Sequence, residues 1–420
     1  MFIGCLLTSS TGTGLKVAAK PLTAAEAQRS RSQIPKQSQS PPVVSKPLDR
    51  PDPIWLRDAC SCELCVDPSS KQKRFQTSDI PLEIDYLSRE VGPDGTLSVT
   101  WSNDIHGFGS NHISTYTKDF LSLYEKYDGT TKALLSIKPT FWDKAMITES
   151  VKFVDFSHYM SRDSALHDVL NQLGKYGLVF LCNVPESEKA IEDIAGRIGP
   201  LKNTFYGLTW DVKTVPQAKN VAYTNQYLGL HMDLLYTDNP PALQLLHCLK
   251  NTCEGGTSLF CDSYRAATQL KEENIKAFDR LLYQKTDFVY NNAGEHYFAR
   301  RHVIRAPGKN REIRSINWSP PFQGPFILER KGASYFRSYA RALKEFAARI
   351  EAPENIYEYR LKEGECVIFN NQRVLHARTA FDISSGERWL KGAYLDGDVW
   401  RSRHRVLERK FGSAAASLPT

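Results

Sequence analysis

His231-Met232-Asp233 offers an imidazole and a carboxylate two positions apart, and residues i and i+2 of an extended backbone project to the same side. That spacing suits adjacent corners of one metal ion. His376, at the end of Cys366-Val367-Ile368-Phe369-Asn370-Asn371-Gln372-Arg373-Val374-Leu375, would supply a third corner. Two imidazoles and one carboxylate on one face leave positions open, the arrangement in which non-haem Fe(II) oxygenases take a co-substrate and O₂ together. The triplet alone is weak, because a chain with ten histidines contains one His-x-Asp by accident about half the time. Arg388 strengthens it. It opens the run Trp389-Leu390-Lys391-Gly392-Ala393-Tyr394 shortly after His376, and a buried guanidinium can bridge the far end of a dicarboxylate with two prongs.

Cys60-x-Cys62-x-x-Cys65 places three soft ligands close enough to clasp one tetrahedral ion once a fourth donor arrives. His106 and His112 both follow, and the spacing does not choose between them. A site with no open position is structural, which fits this cluster better than a redox role. A nucleic-acid-binding zinc module is disfavoured by the charge distribution. Of the net +7, residues 1–50 account for +5, with seven Lys or Arg against Glu26 and Asp49. The rest of the chain carries only +2, too little for a phosphate-binding groove.

The elements that must position these residues follow from pattern. Residues 1–50 are rich in Ser, Thr, Ala, Gln and Pro and read as a disordered leader, whose scarcity of acids also suits a mitochondrial transit peptide. Nine cysteines in no regular framework point to a reducing compartment, cytoplasmic or mitochondrial and not secretory. No apolar run reaches membrane-spanning length. Residues 51–135 read as a small β unit, with Pro93-Asp94-Gly95 turning between Leu87 and the strand Leu97–Trp101. Residues 150–412 read as a larger, mainly β domain with flanking helices. Helices are predicted near 164–176, 186–198, 266–283 and 334–351, and strands at 177–182, 220–224, 242–249, 257–262, 365–369 and 388–395. Many short strands with turn signals predict a barrel-like or jelly-roll core with helices outside.

With these residues assembled, the sequence resembles the γ-butyrobetaine dioxygenase and trimethyllysine dioxygenase family from about Trp55 to Leu407. Thr204-Phe205-Tyr206-Gly207, Asn220-Val221-Ala222-Tyr223-Thr224, Gln244-Leu245-Leu246-His247-Cys248 and Gly392-Ala393-Tyr394 are closest to the butyrobetaine branch. The resemblance implies a double-stranded β-helix (jelly-roll) catalytic domain, a small N-terminal zinc domain and a homodimer. It implies that Fe(II) on His231, Asp233 and His376 activates O₂ while 2-oxoglutarate is decarboxylated to succinate, with ascorbate as the accompanying reductant. Arg388 would hold the far carboxylate of 2-oxoglutarate, assisted by Ser258. His112 would complete a zinc site with Cys60, Cys62 and Cys65.

The resemblance also implies the substrate. A quaternary ammonium donates no hydrogen bonds, so a protein surrounds it with π-faces. Tyr206, Trp210, Tyr223 and Tyr394 match the family's aromatic cage, and Asn220 matches an asparagine that binds the substrate carboxylate. The chain departs from the family at Asn317-Trp318-Ser319-Pro320-Pro321, where Ser319 replaces a second carboxylate-binding asparagine. The expected reaction is hydroxylation of γ-butyrobetaine to carnitine. The alternatives are trimethyllysine or another amino acid as substrate, and, more remotely, a catalytically silent metal-binding interaction protein.

Overall fold

A computed structural model describes residues 51–109, 111–125, 137–213, 225–308, 310–326 and 332–412. The predicted leader and the predicted strand at 220–224 lie outside the described residues.

In the N-terminal unit, a short helix, α1 (Pro53–Asp58), is capped by Asp52, whose side chain accepts from the Trp55 amide. Strands β1 (Asp85–Val91), β2 (Leu97–Ser102) and β3 (Ile113–Tyr116) form an antiparallel sheet in that order. The alternation of β2 sends Leu97, Val99 and Trp101 inward, where they meet Leu56, Phe75, Ile84 and Tyr116 in a core of their own. Asp94 shapes the β1–β2 turn by accepting from the Thr96 amide.

The larger unit contains β4 (Phe153–Asp155), β5 (Leu178–Cys182), β6 (Thr209–Val212), β7 (Leu228–His231), β8 (Leu243–Asn251), β9 (Ser258–Asp262), β10 (Lys285–Asn292), β11 (Glu295–His302), β12 (Ile356–Tyr359), β13 (Glu365–Asn370), β14 (Val374–Arg378) and β15 (Arg388–Leu395). One sheet runs β4-β5-β13-β8-β15-β6 and the other β12-β9-β14-β7. Phe180, Cys248, Val367, Phe369 and Leu390 of the first pack with Phe260, Val374 and Tyr357 of the second in a shared core.

Helices α2 (Asp163–Lys175), α3 (Ala190–Ile198), α4 (Ser263–Glu273), α5 (Ile275–Tyr283), α6 (Gly332–Ile350) and α7 (Gly397–Phe411) cover the outside. The apolar stripes of α2, α3 and α7, including Leu166, Leu170, Ile194, Trp400 and Leu407, pack on Leu243, Leu245, Ile368 and Ala393 of the first sheet. The stripes of α4, α5 and α6 pack with Leu259, Leu375 and Ala377 of the second.

Two helix predictions need correction. The helix expected from residue 186 begins only at Ala190. The helix expected over 266–283 is two helices divided at Asn274, whose side chain accepts from the Ala277 amide and so starts α5 instead of continuing α4. Among the described residues no helix is long and apolar enough to cross a membrane.

Candidate active site

His231 is the last residue of β7, and His376 lies directly across the ladder on β14. Strand pairing therefore brings two imidazoles separated widely in sequence to 4.2 Å between ring centroids. Asp233 does not lie on the same extended backbone, as i, i+2 spacing predicted. The strand ends at His231 and the carboxylate sits in a turn. Leu234 holds φ +58° there, a strained value for a branched aliphatic residue. The turn brings Asp233 Oδ1 to 3.3 Å from His231 Nε2, and Oδ2 to 3.8 Å from His376 Nε2.

The surroundings fix these groups. His231 Nδ1 donates to the Gly229 carbonyl at 2.8 Å, which leaves the Nε2 lone pair facing the carboxylate. Asn371, fully buried, clamps the Asp233 turn: its Oδ1 accepts from the Asp233 amide at 2.8 Å and its Nδ2 donates to the Asp233 carbonyl at 3.0 Å. Burial drives the His376 imidazole down to about 3, so it is neutral and able to ligate at neutral pH. Burial opposes ionisation of Asp233, yet the neighbouring His231 and His376 and the hydrogen bond from the Tyr394 hydroxyl hold it below the usual carboxylate range. The three donor atoms lie within 4.8 Å of one another. Two neutral nitrogens and an anionic oxygen fit a divalent iron ion.

A cavity beside them is lined by Trp210, Gln244, Ser258, Arg378 and Arg388 as well as by the three donors. Arg388 starts β15 and is buried, and among the described residues its Nε has no hydrogen-bond partner and no carboxylate pairs with it. Gly256 allows this placement, since a Cβ there would come within 3.0 Å of Arg388 Nε and the backbone holds φ +67°. Arg378 was not predicted, although it sits two residues after His376 on β14 and so on the same face. Burial, and then the neighbouring Arg388, push its guanidinium down to about 10. Two buried guanidiniums in one cavity make it a site for an anion. Gln244, also missed, is buried with its Oε1 unpartnered.

Tyr223 of the predicted cage and Asn220, expected at the substrate carboxylate, lie outside the described residues. Trp210 stacks on Tyr394 at 4.0 Å between centroids, over Gly392, where a Cβ would meet the indole at 2.3 Å. Tyr394 therefore has one face covered, and its hydroxyl donates to Asp233 Oδ2 at 2.6 Å. Tyr206 belongs to an aromatic group with Phe205 and Tyr236, its hydroxyl 3.5 Å from that of Tyr236. Ser319 is 2% exposed and its Oγ has no partner among the described residues. The preceding Trp318 carbonyl accepts from the Met232 amide at 2.8 Å, which anchors this loop between the two donors of the His-x-Asp triplet.

In the N-terminal unit, the Sγ atoms of Cys60, Cys62 and Cys65 converge on His112 Nε2 at 3.5, 3.4 and 3.3 Å. His106 is exposed and takes no part in the cluster. Asp104 Oδ2 accepts from His112 Nδ1 at 2.7 Å and orients the ring, and Arg57 Nη1 approaches Cys65 Sγ at 3.3 Å. A hydrogen bond from Cys65, with a smaller one from His112, holds the Cys60 thiol well below the usual thiol range against the opposing effect of burial. All eight described cysteines are free.

The comparisons with known proteins agree with this chemistry. A family model described as "Taurine catabolism dioxygenase TauD, TfdA family" matches residues 144–394. "Dioxygenase str8" of Strobilurus tenacellus is 37% identical over 377 residues, covering 86% of each chain. A γ-butyrobetaine dioxygenase of Pseudomonas sp. (strain AK-1) is 32% identical over 358 residues, covering 85% of this chain and 90% of that one. The Homo sapiens γ-butyrobetaine dioxygenase is 28% identical over 376 residues, covering 85% and 91%. The chain is a 2-oxoglutarate-dependent dioxygenase and belongs to the TauD, TfdA family, alongside the γ-butyrobetaine dioxygenases.

Proposed function

We propose that this dioxygenase hydroxylates a small carboxylic acid bearing a trimethylammonium group, with γ-butyrobetaine as substrate and carnitine as product. The observation that carries the reading is the cavity where His231, Asp233 and His376 face Arg388, with Trp210 in the wall. Two relatives that are γ-butyrobetaine dioxygenases, matched over most of the chain, support the substrate. We read the two-sheet sandwich as a double-stranded β-helix, and Cys60, Cys62, Cys65 and His112 as a structural zinc site.

Fe(II), held by the three side chains, would couple O₂ activation to decarboxylation of 2-oxoglutarate, so that one oxygen enters succinate and the other the hydroxylated product. The chain's own residues bind, orient and exclude water. Arg388 anchors the far carboxylate of the co-substrate, with Ser258 beside it. Arg378 adds positive charge to the same cavity. The indole of Trp210 offers a π-face to a cation, and the buried Ser319 hydroxyl is available to an anionic group of the substrate.

Ser319 also favours a second reading. A serine reaches less far than an asparagine, so the loop would take an acid of different length through the same chemistry. The str8 relative, whose name states no substrate, is compatible with either. The test is succinate formation with Fe(II), 2-oxoglutarate and ascorbate, comparing γ-butyrobetaine, trimethyllysine and no addition. Stimulation by γ-butyrobetaine with carnitine as product supports the first reading, and uncoupled background turnover alone sinks it in favour of the second. Arg388→Met is expected to raise the KM for 2-oxoglutarate about 10- to 100-fold, the loss of two charge-assisted hydrogen bonds. An unchanged KM would remove Arg388 from the co-substrate site.

A further inference from the structure

We propose that the contact between α2 and α7 is a further divalent-cation site, of zinc type and structural in role, formed by His167, His404 and Glu408 with Asn171 beside them. His167 and Asn171 stand one turn apart on α2, and His404 and Glu408 stand one turn apart on α7. The two helices run antiparallel: Asp163 meets Lys410 at one end of the contact and Asn171 meets His404 at the other. Each helix therefore turns one imidazole and one oxygen-bearing side chain toward the other.

The donor atoms converge on one point. Glu408 Oε2 lies 2.6 Å from His167 Nε2 and 3.7 Å from His404 Nε2, and all three atoms fall within 4.8 Å of one another. Asn171 Oδ1 is 2.8 Å from His404 Nε2. Ligand atoms around a tetrahedral zinc stand about 3.4 Å apart, given bonds near 2.1 Å, and the observed separations straddle that value. Both histidines are 8% exposed, whereas the Glu408 side chain is 30% exposed, which gives an ion a way in and room for a water ligand. The nearby cation Lys410 is engaged by Asp163 at 3.0 Å. Asn171 Nδ2 lies 3.2 Å from His167 Nε2, so a hydrogen-bonded clasp would engage both imidazoles through Asn171, whereas a cation would draw both Nε2 atoms and the carboxylate onto one point.

The site is separate from the catalytic cavity. The helices α2 and α7 lie on the outer face of the six-stranded sheet, and the cavity residues belong to strands and to the Asp233 turn after β7. An ion here would pin the C-terminal helix to the body of the domain.

The test uses the full chain, stripped of metal, loaded with Zn²⁺ alone and desalted, with bound zinc counted by elemental mass spectrometry. His404→Ala and Glu408→Gln are each expected to retain one equivalent fewer than wild type. Zn²⁺ is expected to raise the thermal midpoint of wild type by more than that of either variant. Fe(II)-dependent turnover should not change. Zinc-edge anomalous diffraction should place a peak between α2 and α7. Glu408→Gln is nearly isosteric and keeps a hydrogen bond to His167, so it decides the matter even if His404→Ala fails to fold. Equal zinc content in wild type and Glu408→Gln, without an anomalous peak, would show a hydrogen-bonded helix clasp and overturn the proposal.

Discussion

The hydroxyl of Tyr394 sits on the same carboxylate whose oxygens face both imidazoles, so this residue does more than wall a cage. Its hydrogen bond to Oδ2 restricts rotation of the Asp233 side chain, and Trp210 fixes its ring from behind. Tyr394→Phe keeps the stack and removes only the hydrogen bond. We expect Fe(II) half-saturation to rise about 10- to 100-fold, the usual cost of losing a partner to a metal ligand. If only the substrate KM moved, Tyr394 would be a cage residue and not a positioning residue. His247 makes a different prediction. It is fully buried on β8, with neither ring nitrogen partnered among the described residues, and burial pushes its imidazole down to about 4. The folded state therefore binds fewer protons than the unfolded chain between that value and about 6.5, so stability falls as pH drops through this window. At pH 5 the penalty is roughly 2 kcal/mol. His247→Leu should narrow the gap in urea stability between pH 7 and pH 5 by about that amount, and an unchanged gap would mean that the histidine reaches solvent.

Strands and helices differ in how openly the sequence announces them. The runs that became β8, β9, β13 and β15 were legible because strands buried on both faces are continuous apolar segments bounded by turns. The hairpin β10–β11 was not, because on β11 the exposed Phe298 is apolar while the partly buried Glu295 and Arg301 are charged, which blurs its alternation. Nor was the Asp233 turn, since a leucine at positive φ carries no sequence signal and the Asn371 clamp is a tertiary contact. Arg378 could have been found from strand parity with His376. One element-scale contact holds this framework together: Arg373, in the β13–β14 turn, pairs with Asp262 at the end of β9 through Nε–Oδ1 at 3.0 Å and Nη2–Oδ2 at 2.7 Å, both residues buried. Asp262 Oδ2 also accepts from the Trp142 amide, and Oδ1 from the Tyr264 amide that begins α4. Asp262→Asn leaves a guanidinium buried without its counter-charge, and we expect a loss of about 3 to 5 kcal/mol in urea unfolding. The exposed pair Arg314–Glu312 is the control, where Glu312→Gln should cost less than about 1 kcal/mol. Similar losses at the two sites would show that burial of the Asp262 pair is irrelevant.

At the scale of the whole molecule the chain builds separate cores, and a small one gathers Leu56, Phe75, Val99, Trp101 and a few neighbours around the Cys60, Cys62, Cys65 and His112 cluster. A core this small supplies only about 3 to 5 kcal/mol, which is where proteins add a metal or disulfides, and every described cysteine is free. Cys60 and Cys65 are themselves core residues, so a metal on the cluster would tie α1 to β3 through His112. The larger unit instead rests on two packed sheets with helices outside, and its cores contain none of the cluster's residues. Metal removal should therefore act unequally on the two. With a zinc chelator strong enough to empty a Cys₃His site, amide hydrogen exchange is expected to accelerate across β1, β2 and β3 while β8, β13 and β15 keep their protection. Cys62→Ser, which removes a partly exposed ligand without opening the apolar core, should reproduce the effect without chelator. Unchanged protection in β1–β3 under both treatments would mean that the thiols and His112 hold this unit as a hydrogen-bonded cluster alone. Loss of protection throughout the chain would mean that the two units fold as one.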